Sequence, residues 1–207
     1  MKVKPSSELT PQERDELAKY LPKGIDVNTM ADCFYLVSKN FTAIQEKYGK
    51  VEPWRIDAHQ VKDFLQRISD FDIKTIKLKQ KQIISVDRVL SKPCNKWRLA
   101  KALAHLEAKQ NVLPILVDAY KVEGIGYWYT VTDGVHRTTA AKITGQLEIE
   151  ATVLREIVLD CAVIRRKYGK LSQEKYLLEV LGIKKSLLGM IVLIWKLFKS
   201  LKSELED

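Results

Sequence analysis

The chain has few of the residues that build metal centres or disulfide frameworks. Its 207 residues include only three cysteines and three histidines. They are Cys33, Cys94, Cys161, His59, His105 and His136. Because no two cysteines have metal-ligand or redox-motif spacing and the histidines are dispersed, we expect no metal site and expect each cysteine to be a buried small hydrophobe. The odd cysteine count and the lack of a secretion signal favour a cytoplasmic protein.

Long apolar runs are also scarce, and the one strongly apolar segment is short. It covers residues 187–198, whereas a membrane-spanning helix needs roughly 17–25 residues. Lys184, Lys185 and Lys196 accompany it, which would suit an interfacial helix on anionic lipid. An oligomerisation helix and a core helix are the alternatives. We expect burial or self-association, and therefore a homo-oligomer formed through the C-terminal helix without membrane contact.

Positive charge is in excess. The chain has 35 Lys and Arg against 26 Asp and Glu, a formal net charge of +9. This balance favours an anionic partner such as nucleic acid, a nucleotide or an anionic membrane. The apolar fraction of 46% is ordinary for a globular protein and excludes disorder throughout.

Residues 1–72 are predicted to be a helical N-terminal region. Thr10 followed by Pro11 is a helix start, and that helix should run to about Leu21. A second helix is predicted over Asn28–Tyr48, with an apolar stripe that we assign to the core. A third should begin near Asp57. This region could be a lid, a dimerisation unit or a cap.

Residues 73–155 are predicted to be an α+β domain, a small mixed sheet with packed helices. The lysine-rich stretch Lys74–Gln82 fits an edge strand guarded by charge, which we favour over a phosphate-contacting stripe. Helices are expected over about Asn95–Gln110 and from the Asp-Gly turn described below to Thr144, before Gly145. Strands are expected near Ile83–Val86, Pro114–Ala119, Tyr127–Thr132 and Glu148–Leu154.

Residues 156–207 are predicted to be a helical C-terminal region, with helix from Arg155 to about Tyr168. Residues 171–188 have the helix–glycine–helix pattern of a possible helix-turn-helix, which would place Lys184, Lys185 and Ser186 at DNA. Leu178 departs from that pattern, because a small residue usually lies where the two helices cross. Such patterns are common in α-rich proteins, so an ordinary helical pair is the alternative.

The most informative segment is Tyr127–Ala141, which reads as a strand, a tight turn and a helix. The turn contains Asp133 and Gly134, then His136 and Arg137. A helix start exposes unpaired N–H groups and the positive end of the helix dipole, so glycine, imidazole and guanidinium together suggest a phosphate cradle. The alternative is an ordinary strand-to-helix connection.

Three blocks in this part of the chain resemble the ParB/sulfiredoxin superfamily. Residues 133–145, with the strand that follows, resemble its Gly-x-His-Arg or Gly-Glu-Arg-Arg turn, Ala-Ala helix and glycine. Ile83–Leu90 resembles the opening strand of the family, and Leu113–Val117 its Pro-Ile-x-Val strand. The blocks come in the family's order over roughly residues 80 to 155. The resemblance implies a nucleotide-binding α+β fold.

The branches of this superfamily imply different chemistry. Sulfiredoxins place a catalytic cysteine where Val135 stands, which excludes that activity here. The ParB partition branch holds CTP through Glu-Arg-Arg, for which this chain has Val135, His136 and Arg137. Free-serine kinases have a similar Asp-Gly-His-His-Arg turn, but their catalytic glutamate corresponds to Asn95, which cannot act as a base.

The resemblance therefore implies a binding site for a nucleoside triphosphate, CTP or ATP with Mg²⁺. Its expected members are Asp133, Gly134, Val135, His136, Arg137, Thr138 and Thr139. Gly134 would let the backbone approach a phosphate, Arg137 would bind it bidentately and His136 would donate a further hydrogen bond. Asp133 would orient Arg137 or ligate Mg²⁺, or simply form the turn. For Thr138 or Thr139 we favour helix capping over phosphate contact.

Three functions follow from the sequence. The first is a ParB-like nucleotide-binding protein that is DNA-associated or regulatory. The second is a phosphotransferase or nuclease-like enzyme, with Asp133 as the first catalytic candidate and Asp87 and Glu107 behind it. The third is a scaffold in which the turn has lost its ligand and the C-terminal helix mediates assembly.

Overall fold

The computed structural model describes residues 3–52, 55–69, 74–110, 112–122 and 126–159. These residues form an α+β structure with a five-stranded mixed sheet, a two-stranded ribbon and five α-helices. The expected fold class is thereby confirmed at the level of α+β. No helix in these ranges is long and apolar enough to cross a membrane.

Two helices precede the sheet. Helix α1, Pro11–Ala18, begins with the predicted capping box, in which Thr10 Oγ1 accepts from the Glu13 N–H at 3.3 Å and Glu13 accepts from the Thr10 N–H at 3.0 Å. It ends three residues before the predicted Leu21. Helix α2, Val27–Tyr48, matches its predicted range and is followed by Gly49. The start of α1 and the end of α2 were predictable, because capping interactions involve residues that are close in sequence.

Helix α2 packs against helix α4, Lys96–Glu107, and one turn of helix α5, Val135–Ile143. Met30 and Val37 of the predicted stripe are fully buried, which confirms the core assignment. Cys33 lies in the same cluster, and burial raises the pKa of its thiol to about 12. Cys33 is thus the buried hydrophobe expected from the sequence.

The two-stranded ribbon pairs β1, Lys50–Val51, with β2, Ile56–Asp57. The strands of the main sheet are β3 Thr75–Ser85, β4 Val89–Leu90, β5 Ile115–Val122, β6 Gly126–Asp133 and β7 Glu148–Leu159. Their order in the sheet is β3-β7-β5-β6-β4. Strand β7 pairs antiparallel with β3 and parallel with β5, while β6 pairs antiparallel with β5 and parallel with β4.

The lysine-rich stretch lies at the sheet edge, as predicted. Among the described residues, strand β3 is paired on one side only, and it includes the predicted Ile83–Val86 segment through Ser85. Its register with β7 shifts between Lys77 and Gln80, where Lys79 has a φ of 49°. Lysines and a bulge are two of the devices by which edge strands avoid unwanted pairing.

The predicted helix from Arg155 is wrong over the residues that can be compared. Strand β7 continues to Leu159, so the predicted domain boundary at residue 155 falls inside a strand. Ile157 and Leu159 are fully buried, and Arg155 pairs with the buried Asp118 of β5 at 2.9 Å. These contacts with β5 outweigh the helical pattern that follows. The remainder of that helix, the helix-turn-helix, Lys184, Lys185, Ser186 and the C-terminal helix lie outside the described residues.

Helix α3, Ala58–Ser69, covers one face of the sheet. Its residues Val61, Phe64 and Leu65 are fully buried against Tyr120 and Trp128. The predicted start near Asp57 is confirmed. This helix joins the ribbon to the sheet and closes the core from that side.

We predict that Phe64→Ala lowers the free energy of unfolding by about 3–5 kcal/mol, because it leaves a cavity under the sheet. The matched control is Asp63→Ala, an exposed neighbour on the same helix, which should change it by less than about 0.5 kcal/mol. Urea unfolding measures both. Equal losses would mean that α3 does not close the core.

Candidate functional site

The turn between β6 and α5 has the geometry expected from the sequence. Strand β6 ends at Asp133, Gly134 is the N-cap with a φ of 104°, and α5 begins at Val135. The cap residue contributes no side-chain hydrogen bond, so the first N–H groups of α5 keep their capacity to bind an anion.

Gly134 is required here by packing. A Cβ atom at this position would lie 2.6 Å from Cγ2 and 2.9 Å from Cβ of Ile115, which is fully buried. The left-handed φ adds a second reason for glycine. The sequence assigned Gly134 to close approach of a phosphate, whereas the contact that the structure presents is with the first residue of β5.

Arg137 ties the turn to the neighbouring loop. Its Nη2 donates to Asp133 Oδ2 at 2.7 Å, and its Nη1 donates to the carbonyl of Pro114 at 3.0 Å and to that of Leu113. The expectation that Asp133 orients Arg137 agrees with this ion pair. With both amino groups engaged, the guanidinium does not present the free fork on which bidentate phosphate binding depends.

His136 joins the start of α5 to the start of α4. Its Nε2 accepts from the N–H of Asn95 at 3.1 Å, and Sγ of Cys94 lies 3.8 Å from the same nitrogen. An accepting Nε2 requires the neutral ring with its proton on Nδ1. Burial, and then the positive charge of Arg98, lower the pKa of His136 below its ordinary value of 6.5, which favours that neutral form. Cys94 is exposed, so the expectation of burial is wrong for this cysteine.

A cleft of about 670 Å³ opens in front of the turn. One wall is a face of α4 that presents Arg98, Lys101 and His105, and the opposite wall is the segment from Thr132 to Arg137. The fixed charges along it are Arg98, Lys101 and Arg137 against one carboxylate, Asp133. The cleft has the size of a small-molecule site and an excess of positive charge.

Thr138 and Thr139 are directed away from this cleft. Both are fully buried, and their hydroxyls donate to the carbonyls of Gly134 at 3.2 Å and Val135 at 3.0 Å. The predicted capping role is therefore wrong, because the helix start uses no side-chain cap. These hydroxyls bond to carbonyls one turn back along the helix, as threonines inside helices commonly do.

The other catalytic candidates lie elsewhere. Asp87 lines a separate cleft at the far end of α5, and Glu107 contacts the buried thiol of Cys33. Arg98 and Lys101, which the sequence did not single out, face the turn instead. Their three-residue spacing on α4 could be recognised in the sequence. Their position facing the turn depends on how α4 packs against α5. Within the described ranges, no three His, Cys, Asp or Glu side chains come together as a metal site.

We predict that Gly134→Ala destabilises the protein by about 1–3 kcal/mol more than Gly126→Ala, because only the former meets a buried side chain. Gly126 is a matched control, since its φ is 98° and an added Cβ would meet nothing within 4 Å. Urea unfolding of the two variants gives the difference. Equal losses would show that the contact with Ile115 contributes no energy.

We predict that the pKa of His136, followed by NMR of the imidazole, is below 6.5 and rises when Arg98→Gln removes the nearby positive charge. A folded pKa below the unfolded value makes the unfolded state bind more protons. Stability should therefore fall as the pH drops below about 6.5. His136→Gln should remove this dependence, and an unchanged pH profile in that variant would contradict the assignment.

The functional assignment of this cleft depends on its own geometry. The sequence segment that resembles the ParB/sulfiredoxin turn forms one of its walls, and that resemblance stays a prediction. The chain matches no protein-family model and no curated protein sequence.

Proposed function

We propose that the chain is a ParB-like protein that binds a phosphorylated nucleotide in this cleft and acts in regulation or in association with DNA. The observation that supports the proposal is the placement of three cationic side chains and a helix N-terminus around one concave space with a single carboxylate. Such an arrangement stabilises negative charge from several directions at once.

Arg98 and Lys101 are the residues that we expect to contact the phosphates. They are exposed, lie three positions apart on α4 and line the cleft. Residues three apart share one face of a helix, so two successive phosphates can meet both side chains. The N–H groups at the start of α5 would hold a further phosphate oxygen.

Arg137 has a different part in this proposal. Its bonds to Asp133, Leu113 and Pro114 fix the wall of the cleft, and its charge adds to the positive field from a side chain that is 20% exposed. The base and ribose would lie towards Leu113 and His105, where the wall is mixed in polarity.

Binding is better supported than turnover. Asp133 is paired with Arg137, and His136 uses Nε2 as an acceptor for a backbone N–H. Phosphoryl transfer needs oriented metal ligands as well as a positioned nucleophile. Of the residues that line the cleft, Asp133 alone could ligate Mg²⁺ through a carboxylate.

We predict that one of the nucleotides ATP, ADP, CTP and GTP raises the Tm of the protein in the presence of Mg²⁺. At one hundred times its Kd, a ligand stabilises the native state by about 2.7 kcal/mol. For a chain of this size, that corresponds to a rise in Tm of about 5–10 °C. Arg98→Gln and Lys101→Gln should each reduce the rise, and Arg67→Gln on α3 is the control for loss of one positive charge.

Several outcomes separate the alternatives. No shift with any nucleotide would contradict the proposal and favour a scaffold. Release of phosphate that is lost in Asp133→Asn would favour an enzyme. Anisotropy of a labelled DNA duplex, measured over a range of salt with and without the nucleotide, tests DNA association, because phosphate contacts by lysine and arginine weaken steeply with salt.

A further inference from the structure

A second cleft lies at the opposite end of α5 and measures about 700 Å³. It is bordered by the C-terminus of α2, the 3-10 turn Val86–Arg88, strand β6 and the turn that follows α5. Its charged residues are Lys47, Lys50, Glu52, Asp87, Arg88 and Lys142. The proposed nucleotide function does not use it.

Lys142 is the unusual residue of this second cleft. Its ammonium donates to the carbonyl of Val89 at 2.9 Å, and no carboxylate of the described chain lies within 4.0 Å of it. Burial lowers the pKa of Lys142 to about 8, against an opposing effect of the Asp87 carboxylate. Lys142 is half-buried, and a partly desolvated cation without a paired anion is destabilising, so an anionic ligand would offset part of that penalty.

Arg88 and Trp128 form a second, independent feature. The guanidinium of Arg88 lies 4.9 Å from the centre of the Trp128 ring. Stacking of this kind holds the guanidinium plane and leaves the N–H groups at its edge available to an oxyanion. Trp128 is 4% exposed, and its Nε1 has no hydrogen-bond partner among the described residues, although buried indole N–H groups usually have one.

The charge balance of this cleft favours an anionic ligand. Four cationic side chains face two carboxylates, a formal excess of two. The C-termini of α2 and α5 contribute about half a negative charge each. The local field therefore stays positive. Arg88 and Lys142 together match the two charges of a phosphate dianion, whereas a carboxylate would need only one of them.

We infer that the second cleft binds the phosphoryl group of a small molecule between Arg88 and Lys142. The concave shape favours a small ligand over a nucleic-acid backbone, because clefts of this volume are typical of small-molecule sites. The two clefts border opposite ends of α5, so this site is separate from that of the proposed nucleotide and does not depend on it.

The experiment is calorimetric titration of the full chain with inorganic phosphate at pH 8, in two buffers of different ionisation heat. We expect a Kd below about 1 mM. About half a proton should be taken up on binding, because the anion returns the half-neutral Lys142 to its charged form. Lys142→Arg should still bind phosphate, with that uptake removed.

Two further variants keep the test independent of folding. Lys142→Met should weaken phosphate binding at least about tenfold, and Arg88→Gln, which alters an exposed side chain, should weaken it about tenfold with the fold retained. Arg67→Gln is the matched control, since it removes one exposed arginine from α3, which borders neither cleft, and it should leave phosphate binding here unchanged.

The inference is overturned if phosphate produces no binding heat, or if Arg88→Gln weakens binding no more than Arg67→Gln does. Displacement of the phosphate by a DNA duplex, with duplex binding lost in Arg88→Gln, would overturn it in favour of a nucleic-acid surface. If Lys101→Gln loses the nucleotide-dependent rise in Tm, only the first cleft is affected. Failure of one site is therefore distinguishable from failure of the other.

Discussion

The close passage of Gly134 over Ile115 is the constraint on which the rest of the site depends. With a hydrogen atom in place of a Cβ, strand β6 can turn directly into α5 above the buried first residue of β5. Arg137 then reaches back to the loop before β5, and Ala140, one turn later, packs against α2 and α4. The direction of α5 is fixed by these three contacts, and α5 in turn forms a wall of both clefts.

The positive charge around the two ends of α5 has different origins. At the N-terminus, the backbone itself supplies donors and a positive partial charge, so Arg98 and Lys101 can remain exposed side chains that add to it. At the C-terminus, the backbone is negative, and only side chains can reverse the sign. Lys142 and Arg88 are accordingly held there by burial and by stacking. The positive charge of the first cleft therefore comes partly from the main chain, whereas that of the second cleft comes from side chains alone.

Several helix boundaries could be predicted from the local sequence. The capping box at Thr10, the end of α2 at Gly49 and the start of α5 all follow from neighbouring residues. The local sequence was insufficient where partners lie far along the chain. Strand β7 reaches Leu159 because β5 supplies a matching partner. The engagement of Arg137 by carbonyls more than twenty residues away, and the alignment of α4 with the turn, likewise follow from tertiary packing.

The hydrogen bond between His136 and Asn95 gives the first cleft its chemical character. Because Nε2 must remain an acceptor for the Asn95 N–H, protonation of His136 would break the link between the starts of α4 and α5. Arg98 opposes that protonation through its own charge, and the same side chain lines the first cleft. An imidazole kept neutral by its surroundings, with one nitrogen used structurally, is poorly placed to deliver a proton. The polar groups around the turn therefore maintain its shape, and this arrangement supports the proposed binding role more than a catalytic one.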